Sequence, residues 1–498
     1  MRRRDVLLTG LLTALPRLSR AATAPSVAPE LLSAVKLAHY IRRGDIDLLD
    51  HVRAVIERAE RWRALNAFIA FDPDKLLADA RRLQHSLGRG QGGPLCGIPI
   101  PIKDSVNTAD YATSAGTAAL RRFRPVADAP AVARLRAAGA LVMGKTNLHE
   151  LSYGWTSNNG AFGAVHNPYR FDCIPGGSSG GTAAAVAAGL APFGLAEDTE
   201  GSIRVPAALC GLAGFRPTTG RYATEGAAPI SPLFDQIGPV ARHAEDLLLF
   251  DQLLGPDPSP IKSRRLTGVR IAIAHDPMWQ DLHPEVEKAA KTALRRLEAN
   301  GAVLVEADFP GLFDRVAAIC EPIQNHDVRI ALESYLKRYG APVDFAAVVS
   351  AASSDIRNTF EHDVLPGSPG FISDERYRAM IETELPRLRN DYREFFARTQ
   401  TTAIVFPTTR VTAPTIGEED TVDIGGRTID LTRALAGNIA PGSTAGLPSL
   451  VLPIGLDSRG LPISLEFDGP AGSDRALLSL AGSLEETLGR LPPPEQPT

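Results

Sequence analysis

Between residues 30 and 87 apolar positions recur at helical spacing. Leu31, Leu32, Val35 and Leu37 precede a polar break at Gly44-Asp45, and Val52, Val55 and Ile56 resume the pattern, which predicts helices throughout. The period then changes. From 94 to 104 (PLCGIPIPIKD), Ile98, Ile100 and Ile102 alternate with Pro99, Pro101 and Lys103, a strand whose lysine faces away from the isoleucines. Prolines donate no ladder hydrogen bond, so two of them predict an edge strand or a strand end. Residues 129–138 read as a helix stopped by Gly139, and 140–144 as a short buried strand, together half of a crossover unit. Residues 145–167 form a long loop with aromatics, and such loops inside a domain are often functional.

Further on, 268–274 is a predicted strand, 283–300 an amphipathic helix and 302–308 another strand. Residues 310–400 look mostly helical, and the charged amphipathic helix at 374–398 should kink at Pro386. Strands are expected at 402–407, 449–453 and 463–467, then a final helix capped by Ser473 and Asp474 and ending at Leu488. Residues 489–498 are proline-rich and read as a disordered tail. With no repeat and no sharp linker, the simplest organisation is one α/β domain over 25–488 with a helical insertion around 310–430.

Composition changes this picture little. The chain is 44% apolar and 22% charged, ordinary for a globular protein with a large core. A net charge of −4 gives no reason to expect a nucleic-acid or anionic-membrane partner. The N-terminus is more informative. Arg2-Arg3-Arg4-Asp5, a short apolar run from Val6 to Leu15, and small residues at Ala21, Ala22 and Ala24 form a signal-peptide pattern over 1–24. The run is too short to span a bilayer. The leading arginines point to the twin-arginine route, and hence to a periplasmic or secreted protein. Four scattered cysteines, Cys96, Cys173, Cys210 and Cys320, form no C-x-x-C pair, which argues for buried free thiols and against a metal site.

The candidate chemistry lies in Gly-Gly-Ser-Ser-Gly-Gly at 176–181 and in Ser202, within Glu200-Gly201-Ser202-Ile203-Arg204. Glycines beside serines leave backbone N–H groups uncovered next to a hydroxyl, as anion recognition or acyl transfer requires. A phosphate loop would need a Gly-Lys-Ser/Thr ending, which is missing. Residues 177–181 match the G-x-S-x-G elbow of a Ser-His-Asp hydrolase, with Ser179 as nucleophile. The segment 167–175, with two prolines and charged residues, is a poor elbow strand, and none of the 10 histidines is singled out as base. The remaining base is Lys103. Bringing its titration from about 10.4 to neutrality costs about 4.6 kcal/mol. Burial beside uncharged hydroxyls would supply that, and a paired carboxylate would oppose it. Strand alternation should point Asp104 to the other face.

The stretches Gly97-Ile98-Pro99-Ile100-Pro101-Ile102-Lys103-Asp104, GGSSGG and Asp198-Thr199-Glu200-Gly201-Ser202-Ile203-Arg204-Val205-Pro206-Ala207 resemble the amidase signature family. Cys210-Gly211, Phe215-Arg216-Pro217-Thr218, Asp235-Gln236-Ile237-Gly238-Pro239 and Gly460-Leu461-Pro462 extend the resemblance over roughly 30–488. It implies an α/β fold with a large mixed sheet covered by helices on both faces, and cofactor-free hydrolysis of a carboxylic amide to carboxylate and ammonia. It also implies a catalytic triad in which Ser202 is the nucleophile, Ser178 follows a cis Gly177–Ser178 peptide and relays the proton, and Lys103 is the base. The backbone N–H groups of Thr199, Glu200, Gly201 and Ser202 would form the oxyanion hole. Ser179 would buttress the loop or cap the following helix.

One departure stands out: Glu200 sits where the family usually has glycine. A positive φ there would strain it, and a carboxylate facing the oxyanion would oppose catalysis, so it is expected to point away. Thr113-Ser114-Ala115-Gly116-Thr117 and the stretch from Glu150 to Asn159 resemble the mandelamide and indoleacetamide hydrolase branch, with Tyr153, Trp155 and Phe162 as an aromatic pocket. That implies a small aryl amide as substrate, with broad-specificity or peptide-amide hydrolysis as the alternative. Two other classes stay open: the Ser179 hydrolase, and an inactive secreted binding protein.

Overall fold

The computed structural model describes residues 27–87, 92–418 and 420–496, so the export segment expected at 1–24 lies outside the described residues. In chain order the strands are β1 (Phe68–Phe71), β2 (Pro99–Lys103), β3 (Leu141–Thr146), β4 (Asn158–Asn159), β5 (Gly163–Ala164), β6 (Phe193–Asp198), β7 (Ala213–Arg216) and β8 (Gln236–Ala241). There follow β9 (Arg270–Ile273), β10 (Val303–Glu306), β11 (Ala403–Pro407), β12 (Thr421–Ile424), β13 (Arg427–Asp430), β14 (Ser449–Leu456) and β15 (Pro462–Asp468). Eleven of them form one mixed sheet in the order β1-β3-β2-β6-β8-β7-β14-β15-β11-β9-β10. Pairing is parallel across β3-β2-β6 and across β11-β9-β10, and antiparallel between these two blocks.

Alternation along β6 sets the layers. Phe193 packs edge-on against Phe250 of the Ala244–Leu254 helix, with ring centroids 6.1 Å apart. A Cβ on the next residue, Gly194, would stand 2.5 Å from Thr182 Cγ2 on the Gly180–Ala187 helix. Successive strand residues point to opposite faces, so helices cover both faces of the sheet, as expected.

Several expectations are corrected. The stretch 30–87 holds the helices Ala34–Arg43, Leu48–Arg61 and Pro73–Leu87, but also β1, whose four residues are too few to show a period of their own. β2 is not an edge: it lies between β3 and β6. Its prolines are tolerated because its ladders are thin, with a register shift at Ile100/Pro101 on one side and the single pair Ile102↔Leu195 on the other. Lys103 does end the strand. The kink expected at Pro386 is a wide turn at Met380–Glu384, just ahead of the Leu385–Thr399 helix that carries the proline. That turn makes room for a ring that would collide with a preceding carbonyl in a regular helix. Neither expected cap acts as one. Ser473 makes no capping bond, and the Asp474 carboxylate accepts from Thr218 N (2.8 Å) and Thr218 Oγ1 (2.6 Å) instead. Residues 489–496 run irregularly, with the Tyr169 hydroxyl donating to the Pro492 carbonyl at 2.9 Å. All four cysteines are buried and free.

The helical region after β10 builds its own apolar cluster. Val328 and Leu332 of the Cys320–Tyr339 helix join Phe345, Val348 and Phe360 against Leu120, Phe123, Leu151 and Ile230. This holds the Cys320–Tyr339 helix beside the loop before the serines, where Asn325 accepts from the Tyr153 hydroxyl.

Candidate active site

Lys103 closes β2 wholly buried, with its Nζ 2.6 Å from Ser178 Oγ and 2.7 Å from Glu197 Oε1. Glu197, on β6, is the partner that sequence reasoning missed. It is the kind of paired carboxylate that opposes a neutral lysine, and the hydroxyl of Ser178 is therefore not the lysine's only neighbour. The parallel pairing of β2 with β6 brings the two strand ends together, and no local motif announces such a pairing. Burial pushes Lys103 below the ordinary lysine value, while Glu197, Asp198 and Asp235 pull it back; burial is the larger effect. Asp104 faces elsewhere, as expected, pairing with Lys145 at 3.1 Å and accepting from Ser114 N at 2.9 Å.

Ser178 follows a cis Gly177–Ser178 peptide. Its carbonyl accepts from His149 N at 3.1 Å and lies 3.2 Å from Ser157 Oγ, which also accepts from Gly180 N at 3.1 Å. The loop glycines serve close approach more than exposure of N–H groups. A Cβ on Gly177 would stand 2.7 Å from the Trp155 carbonyl carbon, on Gly180 2.4 Å from Ser157 Oγ, and on Gly181 2.3 Å from the Asn147 oxygen. Ser179 is fully buried. Its hydroxyl donates to the Glu197 carbonyl at 3.2 Å and its N–H to the Ser202 carbonyl at 3.3 Å. It makes no helix-capping bond, and among the described residues no histidine meets it. It buttresses both the Glu197 strand end and the Ser202 turn, and it is not placed as the nucleophile of an elbow.

The turn carrying Ser202 is pinned by buried charge. Asp198 accepts from Arg204 Nε at 3.1 Å and from Ile203 N at 3.0 Å, and pairs with Arg216 Nε at 3.3 Å. Burial alone would raise its carboxyl, but the two guanidiniums prevail and hold it below the usual carboxylate value. Arg204 Nη2 and Ser443 Oγ both donate to the Glu200 carbonyl, each at 2.6 Å. With the carbonyl so engaged, the N–H groups of Thr199, Glu200, Gly201 and Ser202 meet no acceptor among the described residues. Gly201 has no room for a side chain, since its Cβ would lie 2.3 Å from Ile439 Cδ1 and 3.1 Å from Trp155 Cζ3.

Ser202, Thr199 and Glu200 border a cavity of about 330 Å³ whose walls include Tyr153 and Trp155 from the long loop, Glu321 and Gln324 from the Cys320–Tyr339 helix, and Asp355 and Asp420. Phe162, the third expected aromatic, does not line it; the Arg121 guanidinium lies over its ring, 4.4 Å from the centroid. Glu200 has neither a left-handed backbone nor a side chain turned out of the cavity. Its φ is not positive, so the feared strain does not arise. Its carboxylate does not leave the site but lines the cavity, accepting from Gln324 Nε2 at 2.8 Å. Burial pushes this carboxyl up to about 7; the Gln324 hydrogen bond opposes the rise and the charge of Glu321 adds to it. Among the described residues no His, Cys, Asp or Glu cluster is suited to a metal ion, and no helix is long and apolar enough to cross a membrane.

The Amidase family profile matches residues 50–478. An indoleacetamide hydrolase of Rhizobium radiobacter is 37% identical over 459 residues, 92% of this chain and 97% of that protein. A mandelamide hydrolase of Pseudomonas putida is 36% identical over 478 residues, 93% of this chain and 92% of that protein. Among solved structures, an amidase superposes with a TM-score of 0.82 at 30% identity, covering 92% of this chain and 100% of that one. The peptide amidase of Stenotrophomonas maltophilia superposes with a TM-score of 0.78 at 28% identity, covering 94% and 99%. The fold, the buried Lys103–Ser178 contact and these likenesses agree: the chain belongs to the Amidase family and is an amide hydrolase.

Proposed function

We propose that Ser202 attacks the carbonyl of a carboxylic amide, with Ser178 and Lys103 moving its proton and the N–H groups of residues 199–202 receiving the oxyanion. The observation that carries this reading is the buried 2.6 Å contact between Lys103 Nζ and Ser178 Oγ, tied to the Ser202 turn by the Ser179 N–H bond to the Ser202 carbonyl. As Ser202 Oγ bonds to the carbonyl carbon, its proton passes to Ser178 and the Ser178 proton passes to neutral Lys103. The tetrahedral oxyanion then sits against N–H groups that no acceptor among the described residues competes for, a contribution worth about 2.7–4 kcal/mol per donor in other acyl-transfer enzymes. The C–N bond breaks as Ser178 protonates the departing nitrogen, recharged by Lys103, and ammonia leaves. Water attacks the Ser202 ester by the same relay and frees the carboxylate.

Two observations favour a small aryl amide as substrate: the relatives named above act on indoleacetamide and mandelamide, and Tyr153 and Trp155 line the cavity. The likeness to a peptide amidase favours a peptide C-terminal amide as the second reading. Ammonia release from phenylacetamide, indoleacetamide, mandelamide and an amidated peptide ranks the two. Labelling of Ser202 by a fluorophosphonate tests the nucleophile, and no release with no labelling would end the reading. The pattern at 1–24 further supports export by the twin-arginine route; retention of the Arg2→Lys, Arg3→Lys, Arg4→Lys variant in the cytoplasm is the expected result, and its continued export would contradict it.

A further inference from the structure

Glu200 stands two positions before Ser202, and its carboxylate lines the cavity that Ser202 faces. Gln324 Nε2 donates to its Oε2 at 2.8 Å, while Oε1 meets no donor among the described residues. Glu321, one helical turn from Gln324, lines the same cavity, and neither glutamate has an ion-pair partner among the described residues. Among the described residues no lysine or arginine borders the cavity, and the one basic group there, His149, is engaged at 3.2 Å with Asp355. A second polar group of the wall is also unmatched. Ser152 is only 4% exposed and lines the cavity, and its hydroxyl meets no hydrogen-bond partner among the described residues. Buried polar groups are rarely left so unless something else completes them.

We propose that the enzyme selects amides carrying a protonated amine close to the scissile carbonyl, with Glu200 Oε1 accepting from the ammonium and Tyr153 and Trp155 holding an aromatic side chain. Aromatic amino-acid amides are the class that meets both requirements. The proposal rests on Ser202 being the nucleophile of this cavity. A hydrogen bond between ionised partners is roughly twice as strong as a neutral one, and among the described residues no cationic group of the cavity wall competes with a substrate cation for Glu200 Oε1. Burial is the main cause of the raised Glu200 carboxyl, about 7, with the Gln324 hydrogen bond and Arg204 opposing the rise and Glu321 adding to it, and a bound cation would bring it down.

The test is a matched pair, phenylalaninamide and 3-phenylpropanamide, which differ only by the amine, assayed near pH 7 where an α-amino group is mostly protonated. Wild-type kcat/KM should favour phenylalaninamide by about tenfold or more, as an added charge-assisted bond allows. In Glu200→Gln that ratio should fall to within about twofold of one. General damage by the substitution cancels in the ratio. A wild-type ratio at or below one, or a ratio that Glu200→Gln leaves intact, overturns the proposal. Hydrolysis of 3-phenylpropanamide alone keeps the Ser202 reading and overturns this one, whereas ammonia from neither overturns both. A readout without variants is inhibition: the 2-phenylethylammonium ion should compete at least about tenfold better than 2-phenylethanol, and equal inhibition counts against the proposal.

Discussion

The floor of the cavity and its wall are built on different principles. The floor uses strand ends and the turns that leave them. Lys103 closes β2, Glu197 nears the end of β6, and Ser202 follows a turn whose Asp198 is locked by two buried arginines. Every floor carboxylate and ammonium has a charged partner within 3.3 Å. The wall comes from the helical region with its own apolar cluster, and its Glu321 and Gln324 contact the floor through one hydrogen bond to Glu200. Reaction geometry tolerates displacements well below an ångström, so the rigid sheet carries it. Substrate choice needs only a surface of the right charge and shape, which a separately packed cover can vary without disturbing the floor.

The largest expected effect tests that division directly. Lys103→Ala should lower kcat/KM at neutral pH by about 10²–10⁴-fold, the usual contribution of a positioned proton-transfer group. Gln324→Ala should change it by less than about tenfold, since the one hydrogen bond it removes reaches the Glu200 side chain and no reacting group, and a hydrogen bond to a charged group is worth from about 1.5 kcal/mol upward. Comparable losses in steady-state assays would show that floor and wall act as one unit. Next in size is a stability effect. Arg204→Ala leaves Glu466, which the guanidinium meets at 2.7 Å, as an uncompensated buried carboxylate, although Asp198 keeps Arg216. Breaking such a buried pair costs about 3–5 kcal/mol, readable as a lower urea midpoint. A shift under about 1 kcal/mol would mean the turn is held by packing alone.

Glu197 offers a smaller and more specific test. Lys103 must be neutral to accept a proton; burial drives it that way, and Glu197 is the largest of the groups opposing it, with Asp198 and Asp235 adding to the opposition. Glu197→Gln removes the nearest negative charge and keeps a hydrogen-bonding group of the same shape. The lysine value then falls further, so the acid limb of the pH profile of kcat/KM moves to lower pH, by about one unit or more for a charge at this distance. A purely structural role for Glu197 would lower the whole profile without moving its limb, and a limb that moves upward would reverse the sign of the argument.

Legibility in the sequence follows the same line. Lys103, Ser178 and Ser202 sit in short glycine- and proline-rich stretches whose chemistry is local, and the resemblance attached roles to each. Most strands and helices could be anticipated because their periods are local too, whereas the cover of helices on both faces came from the resemblance. What escaped depends on pairing across the sheet or on packing of distant segments. β2 became an interior strand despite Pro99 and Pro101 because its neighbours come from 141–146 and 193–198. Glu197 became the lysine's partner through that pairing. Gln324 reached Glu200 across a separation of 124 residues. Phe162 left the pocket because the β4–β5 ribbon turns it toward Arg121, which the run of aromatics in 145–167 could not foretell.

The finest test of floor against wall is Glu200, which belongs to both: its backbone is part of the turn and its side chain part of the wall. Glu200→Gly deletes only the second contribution. The turn keeps its shape, because Arg204 and Ser443 hold the carbonyl, not the side chain, and because φ is not positive and needs no relief. Glycine adds some freedom to the unfolded chain, up to about 1 kcal/mol. Hydrolysis of an uncharged amide such as phenylacetamide should therefore change by less than about tenfold, or 1.4 kcal/mol of barrier. The N–H of residue 200 is untouched by this change. Gly201→Ala, its neighbour, places a methyl 2.3 Å from Ile439 Cδ1 and 3.1 Å from Trp155 Cζ3, so that the buried Ile439 side chain must shift, and should cost more than Glu200→Gly in the same assay. If the order is reversed, the carboxylate shapes the reacting geometry itself, and the Glu200 side chain belongs to the floor.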